Sequence, residues 1–496
     1  MPSSFSDTAC RAIEKDLTMY ERFGLFIDGN WKPSRSGAVI NVLDPATEEV
    51  IGATPLANAD DLDEALAAVG RVAPQWRATS GWERSRLLRG IASELHALFD
   101  EIALAISTET GKPMVEAVGE LRAAIEQFDW YADEARRIFG HTLDGRETDV
   151  KIHIRYDPVG PVAAFTAWNF PALLPARKIA AALAAGCPII VKPSEETPCG
   201  TFFLAEAARR AGIPAGVLNV MTGDPAAISA HLIASPVIRK VSLTGSVPVG
   251  KLLLRQSADS MKKVSMELGG HAPVLVFDDV DAKAVGELCA RTKFRNAGQV
   301  CISPTRFYVH QAVYAPFAKA MAETAARIRL GGGRDPGSEC GPLINARGRE
   351  RIIRLVDDAV ERGATVLAGG GIPVEHDRGF FYAPTVLGGV ADDAEIMREE
   401  PFGPVAPITT FTDFDDVVRR ANDTSFGLAG YVFSTSLRTA TRAAEALEVG
   451  MVGVNDLLLA AAEAPIGGIK QSGMGREGGQ LGILDYLEPK YMKIRV

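Results

Sequence analysis

The chain has 496 residues, with 53 lysines and arginines against 62 aspartates and glutamates, for a net charge of −9. A chain of that length holds roughly three folding units with sizeable apolar cores, and its charge has the wrong sign for gripping nucleic-acid phosphates. At 47% hydrophobic and 23% charged residues it lacks the polar bias of disordered chains, and order is expected throughout. The N-terminal stretch MPSSFSDTACRAIEKD mixes acids with bases and has no apolar core of leader length. The longest nearly apolar run, residues 179–191, is too short for a bilayer and is broken by Gly186 and Pro188. A cytoplasmic protein with no membrane segment is expected.

From Asn58 to about Gly140 the pattern is helical. Leu62, Leu66, Val69 and Ala73 share a face after a polar start at Asp60 and Asp61, and a second face follows through Leu87, Ile91, Leu95 and Leu98. Beyond Pro161 short β-branched or apolar runs take over, at 162–166, 189–191, 217–221, 241–243 and 264–266, with starts about 25 residues apart. Consecutive βα units need that spacing, and right-handed crossovers lay such strands side by side. A second series follows at 272–276, 306–309, 365–367, 405–411, 429–433 and 451–454. The expected fold class is therefore α/β, with two doubly wound domains meeting at a cleft of the kind that holds cofactor and substrate. Residues 150–156 (VKIHIRY) and 490–496 (KYMKIRV) fit neither series. Each reads either as an exposed ribbon seeking a partner or as an edge strand blunted by lysine and arginine.

A literal GxGxxG at Gly473, Gly475 and Gly478 is a decoy, because no strand precedes it and no βαβ unit contains it. The turn from Thr244 through Gly245 and Ser246 to Gly250 follows a strand and opens a helix, so it serves either an anion or tight packing. Lys192 and Glu195 lie just past the second strand, where an acid either accepts ribose hydroxyls or only favours a helix dipole. The six cysteines, at 10, 187, 199, 289, 301 and 340, form no CxxC pair, and the seven histidines form no HExxH. A disulfide framework and a metal site are not expected. Cys187 and Cys289 read as packing, Cys10 as part of a tail, and Cys199 and Cys340 as weak candidates for reactive thiols. Cys301 differs, because FRNAGQVCIS places it after a polar, glycine-bearing turn with Arg295 and Asn296 upstream. Exposure and positive charge there would favour a thiolate nucleophile.

Taken in order, WNFP (168–171), KPSEETP, the TGSxxxG turn, MELGG (266–270), FRNAGQVC and EEPFGPV (399–405) resemble the aldehyde dehydrogenase superfamily, from about Phe26 to the last residue. KFRNAGQVC and the ending DYLEPKYMKI resemble its succinate semialdehyde dehydrogenase group. The resemblance implies Cys301 as nucleophile, Asn169 as oxyanion donor, Glu267 as general base, and Lys178 and Glu477 as a proton relay. It implies NAD as cofactor, held by Thr166, Trp168, Lys192, Ser194, Glu195, Gly223, Gly245, Ser246, Glu400 and Phe402. It also implies Arg177 and Arg295 as a clamp for a substrate carboxylate, with Ala461 in the substrate loop. Relatives have serines in that loop, whereas NDLLLAAAEAP puts Leu457, Ala460 and Ala461 there. Ser303 stands where many relatives carry a second cysteine, so no redox-switching disulfide is expected. The implied domains are a cofactor domain (1–138 and 158–266), a catalytic domain (267–464) and an oligomerisation ribbon (139–157 and 484–496), giving a homodimer or homotetramer. The implied reaction is NAD-dependent oxidation of an acid-bearing aldehyde, succinate semialdehyde before glutarate semialdehyde or an uncharged aldehyde. Acyl transfer to coenzyme A is disfavoured by Glu267, and a silent binding protein by the presence of Cys301, Glu267 and Asn169 together.

Overall fold

The computed structural model describes residues 18–496; Cys10 and the N-terminal stretch read above lie outside them. An eight-stranded sheet runs Gly473–Met474, Lys263–Glu267, Lys240–Thr244, Val162–Phe165, Ile189–Lys192, Leu218–Val220, Leu25–Ile27, Asn30–Lys32. The strands from Lys263–Glu267 to Leu218–Val220 are parallel and match the five runs expected from the apolar spacing. The chain lays the first three side by side, then returns to place the fourth on the other side of the first. Strand order thus reverses between Val162–Phe165 and Lys240–Thr244, and such a reversal opens a crevice at the carboxyl ends. Asn169 and Gly245 follow those two ends.

Four helices, Ala59–Ala78, Gly81–Ala97, Phe99–Thr110 and Met114–Glu134, precede the five parallel strands. The first opens on a reciprocal cap: Asn58 Oδ1 accepts from the Asp61 N–H, and the Asp61 carboxylate accepts from the Asn58 N–H, both at 3.0 Å. Leu62, Leu66 and Val69 are buried, but Ala73 is only half-buried and Val72 and Trp76 continue the stripe. Leu87, Ile91, Leu95 and Leu98 are all buried. The last three helices, with Val72 and Trp76 of the first, pack on helices Leu173–Ala185 and Cys199–Arg210 in one core. Leu62, Leu66 and Val69 belong to a second one with Val241 and Leu243.

The seven-stranded second sheet runs Thr365–Ala368, Thr385–Gly388, Val405–Phe411, Pro304–His310, Ala272–Val276, Ala429–Phe433, Met451–Val454. All its neighbours are parallel except the first pair. Thr385–Gly388 was not expected, since its apolar run, Val386 and Leu387, ends at two glycines. Residues 465–483, outside the expected domain boundaries, carry the strand Gly473–Met474 back to the first sheet, antiparallel to Met266 and Glu267. The two orphan segments are each other's partner. Val150–Pro158 pairs antiparallel with Leu487–Arg495 along its length, and His141–Asp144 flanks it on the other side. Among the described residues, the outer edge of Leu487–Arg495 carries no strand. Among the described residues, no helix is long and apolar enough to cross a membrane.

Candidate active site

Helix Ala282–Lys293 ends just before the turn that carries Cys301. Asn296, Ala297 and Gly298 then adopt φ of +49°, +52° and +71°, three consecutive left-handed residues. An alanine there is strained by about 1–2 kcal/mol, so its surroundings must hold it. A Cβ on Gly298 would lie 2.1 Å from the Gly403 carbonyl oxygen, so only glycine fits. The Asn296 N–H donates to Glu116 Oε2 at 2.8 Å, and Asn296 Nδ2 donates to the carbonyls of Asn169 and Gln299, both at 3.2 Å. Asn169 Nδ2 donates to the Gln299 carbonyl at 3.0 Å, which leaves its second N–H free. Lys112 Nζ pins the same segment, donating to the Asn169 carbonyl at 2.7 Å while paired with Glu120 at 2.6 Å. Glu120 in turn accepts from the Ala172 N–H at 2.8 Å, at the start of the helix that carries Arg177 and Lys178. Lys112, Glu116 and Glu120 have no signature in the sequence, because each reaches the site through contacts distant in the chain.

Cys301 is half-buried. Burial, followed by the charges of Glu267 and Glu400, pushes its thiol up to about 12, with Arg177 pulling the other way. The expectation of a thiolate favoured by exposure and positive charge is therefore corrected: burial and the two carboxylates hold the proton on the sulfur, and forming a thiolate would call for a base. Glu267 is suited to that role, since burial and the charge of Glu477 raise it to about 8 against the pull of Arg177, Lys178 and Arg476. Its Oε1 is buried without a partner. Among the described residues, the other four cysteines are fully buried. Desolvation raises the thiols of Cys199 and Cys340, so their reading as reactive groups is also corrected. Ser303 is buried and accepts from Lys293 Nζ at 3.3 Å.

A cleft of about 380 Å³ is lined by Trp168, Asn169, Gly245, Ser246, Glu267, Cys301, Glu400 and Phe402. Ser246 caps helix Val247–Ala258 without a side-chain hydrogen bond, so the first N–H groups of that helix remain donors at the cleft. That suits a pyrophosphate, and the residues present fit a pyridine nucleotide. A Cβ on Gly269 would lie 2.3 Å from Glu400 Oε2, and one on Gly270 would lie 2.6 Å from the Cys301 carbonyl oxygen. The two glycines of MELGG thus admit Glu400 and the Cys301 backbone to the same loop. Glu400 accepts from the Gly270 N–H at 3.1 Å, and burial raises its carboxyl to about 7. Phe402, at φ +49°, meets Trp168 edge-on at 5.5 Å. Thr166, Lys192, Ser194, Glu195 and Gly223 lie outside this lining, at or beyond the carboxyl ends of neighbouring strands. Lys192 is buried and ion-paired with the half-buried Glu195. Gly223 has φ +144°, and a Cβ there would lie 3.0 Å from the Ala57 nitrogen.

Lys178 is fully buried, ion-paired with Glu477 and bonded to Ser242 Oγ at 3.1 Å. Arg177 is 7% exposed, and its Nε is buried without a partner. Arg295 lies 5.9 Å from the Phe170 ring centroid, and its charge acts on Tyr431, whose hydroxyl donates to the Ile302 carbonyl at 2.5 Å. Both arginines therefore bear on the segment around Cys301. Ala461 is half-buried and Ala460 exposed, while Leu457 turns into the core of the second sheet, against the expectation of an apolar substrate wall. None of the three lines the cleft.

The aldehyde dehydrogenase family model matches residues 31–492. The NADP(+) succinate-semialdehyde dehydrogenase of Escherichia coli is 43% identical over 469 residues, 94% of this chain and 97% of that protein. The glutarate-semialdehyde dehydrogenase of Pseudomonas putida is 42% identical over 482 residues, 97% of this chain and 99% of that one. The crystal structure of succinate-semialdehyde dehydrogenase from Burkholderia pseudomallei superposes with a TM-score of 0.95 at 43% identity, covering 97% of this chain and 99% of that one. With the Cys301 turn, the glycine-admitted glutamate and a crevice that suits a pyridine nucleotide assembled around one cleft, the chain belongs to the aldehyde dehydrogenase family.

Proposed function

We propose that this chain oxidises a small aldehyde bearing a terminal acid group, succinate semialdehyde first among them, with NAD as the hydride acceptor. The observation that carries the reading is Arg177, a buried guanidinium whose Nε lacks a partner and whose charge reaches both Cys301 and Glu267. Buried charges are ordinarily paired, and a guanidinium fork holds a carboxylate in two hydrogen bonds. Arg295 supplies a second positive charge. The relatives named for succinate and glutarate semialdehydes support this substrate class.

In this reading Glu267 takes the proton of the Cys301 thiol, and the sulfur attacks the carbonyl carbon. The free N–H of Asn169 Nδ2 and the backbone N–H of Cys301 hold the oxyanion; one such donor is typically worth about 3 kcal/mol. The bound cofactor supplies hydride acceptance. Once the thiohemiacetal has lost hydride, Cys301 carries a thioester, and Glu267 draws a proton from the water that releases the acid. Lys178 and Glu477 receive the proton from there. NAD is preferred to NADP because Glu195 would accept ribose hydroxyls and repel a 2′-phosphate. The free edge of Leu487–Arg495 is taken to extend a sheet across subunits in a homodimer or homotetramer. The test is a panel of succinate semialdehyde, glutarate semialdehyde and propanal with each cofactor, followed by NADH or NADPH absorbance. Preference for propanal would overturn the substrate class, and preference for NADP would overturn the cofactor.

A further inference from the structure

Parallel strands covered on both faces are built almost wholly of apolar residues. Two neighbours in the first sheet depart from this: Lys240–Thr244 reads KVSLT and Lys263–Glu267 reads KVSME. In register, Lys240 stands beside Lys263, Ser242 beside Ser265 and Thr244 beside Glu267. Because side chains alternate along a strand, these six form a double polar file on one face, while Val241, Leu243, Val264 and Met266 pack into the core on the other. One end of the file is the proposed catalytic base.

The other residues over this face complete two clusters. The inner one joins Glu477 to Lys178, Lys178 to Ser242 at 3.1 Å, and Ser242 to the Tyr486 hydroxyl. In the outer one, Lys240 Nζ donates to Ser265 Oγ, and Ser265 Oγ donates to Asp485 Oδ2 at 3.2 Å. Lys240 stands between them, its Nζ 4.9 Å from the Tyr486 ring centroid. Lys240, Ser242, Ser265 and Tyr486 are buried, whereas Asp485 is partly exposed. Nothing in the chemistry at Cys301 accounts for an outer cluster that leads away from the cleft to the surface.

We propose that Lys240 is a proton carrier, its amine taking the proton that deacylation delivers to the Glu477–Lys178–Ser242 cluster and passing it through Ser265 to Asp485. This rests on Glu267 acting as the base. Oxidation of one aldehyde and one water to a carboxylate, with reduction of NAD to NADH, releases two protons, and at least one is taken up by buried Glu267. That carboxyl must be emptied before each new turnover. The charged and titratable groups facing Lys240 are Asp485, Lys263, Lys178, Glu477, Tyr486 and Cys187. Burial, with Lys263 and Lys178 adding to it, lowers the ammonium to about 8 against the pull of Asp485 and Glu477, so the group can both take and release a proton near neutrality. A permanently charged side chain could not.

The test uses the full-length enzyme in stopped flow, following NADH and a pH-indicator dye together. The variants are Ser265→Ala, Asp485→Asn, Lys240→Met and Lys240→Arg, with Tm as the folding control. The NADH burst should keep its rate, while proton release lags it by tenfold or more and imidazole buffer restores it. Lys240→Arg should behave as Lys240→Met does. Proton release that keeps pace with NADH in folded Ser265→Ala and Asp485→Asn, or a burst lost together with it, would overturn the proposal. Glu267→Gln separates the two ideas. If it accumulates acyl-Cys301 while the Ser265 and Asp485 variants are normal, the carrier role alone fails; if it turns over normally, the assignment of the base fails.

Discussion

Replacing Arg177 with alanine tests the anionic pocket most directly. A substrate carboxylate that reaches this guanidinium gains a charge-assisted hydrogen bond, worth roughly 1.5–3 kcal/mol. Its loss lowers kcat/KM by roughly 10- to 150-fold, at 1.36 kcal/mol per factor of ten. The substitution has a second effect that does not depend on the substrate. Arg177 draws both Cys301 and Glu267 downward, so without it both rise and every aldehyde reacts more slowly. The diagnostic quantity is therefore the ratio of kcat/KM for succinate semialdehyde to that for propanal, in which the shared effect cancels. That ratio should fall by the full factor in Arg177→Ala and by less in Arg177→Lys, which keeps a charge but loses the fork. Initial rates of NADH formation at matched enzyme concentration, with Tm to verify folding, give the result. Equal losses on the two aldehydes would refute the clamp and leave the family assignment untouched.

Glu267→Gln should slow the NADH burst and slow thioester hydrolysis further still, so that mass spectrometry finds acylated Cys301, whereas Cys301→Ala should lose all turnover yet still bind NAD by titration. Because Glu267 must be ionised to accept a proton, and burial raises it to about 8, the deacylation rate should fall about tenfold per pH unit below that value; a rate flat from pH 6 to about 8 would contradict the assignment. Glu195→Ser should raise the NADP-to-NAD ratio of kcat/KM by tenfold or more, and an unchanged ratio would show that the carboxylate does not face the ribose. Removing residues 490–496 strips most of the strand paired with Val150–Pro158 and should lower the mass measured by light scattering; an unchanged mass would make the tail a local edge strand only.

Elements whose identity lies in local pattern were legible from sequence. Five parallel strands were spaced by the crossovers between them, and the ribbon strands betrayed themselves by alternation. Thr385–Gly388 was not legible, because two apolar residues carry no period. Strands Val39–Leu43 and Val50–Pro55 also escaped; each buries a single residue, Val42 and Thr54. At the site, Cys301, Glu267 and Asn169 announced themselves by motif, but their electrostatic state did not. The thiol's elevation comes from burial and from carboxylates that approach only in three dimensions, and the positive charge that leads the opposition to them is Arg177 rather than the Arg295 of the motif. Leu457 misled for a similar reason: an apolar residue in a loop was read as facing substrate, and packing turned it inward.

The Lys112 pin has a consequence for recombination between relatives. The amide proposed to hold the oxyanion is anchored from the helical layer, through a lysine 57 residues earlier in the chain, and that lysine is fixed by a glutamate that also caps the next helix. A chimera joined between Glu120 and Asn169 would take Asn169 and Cys301 from one parent and the footing of the Asn169 amide from another. Crossovers placed there should yield folded proteins with weakened chemistry even where both parents share every motif around Cys301. The segment from Lys112 to Cys301 is thus a single heritable module that runs across the boundary between the two large sheets.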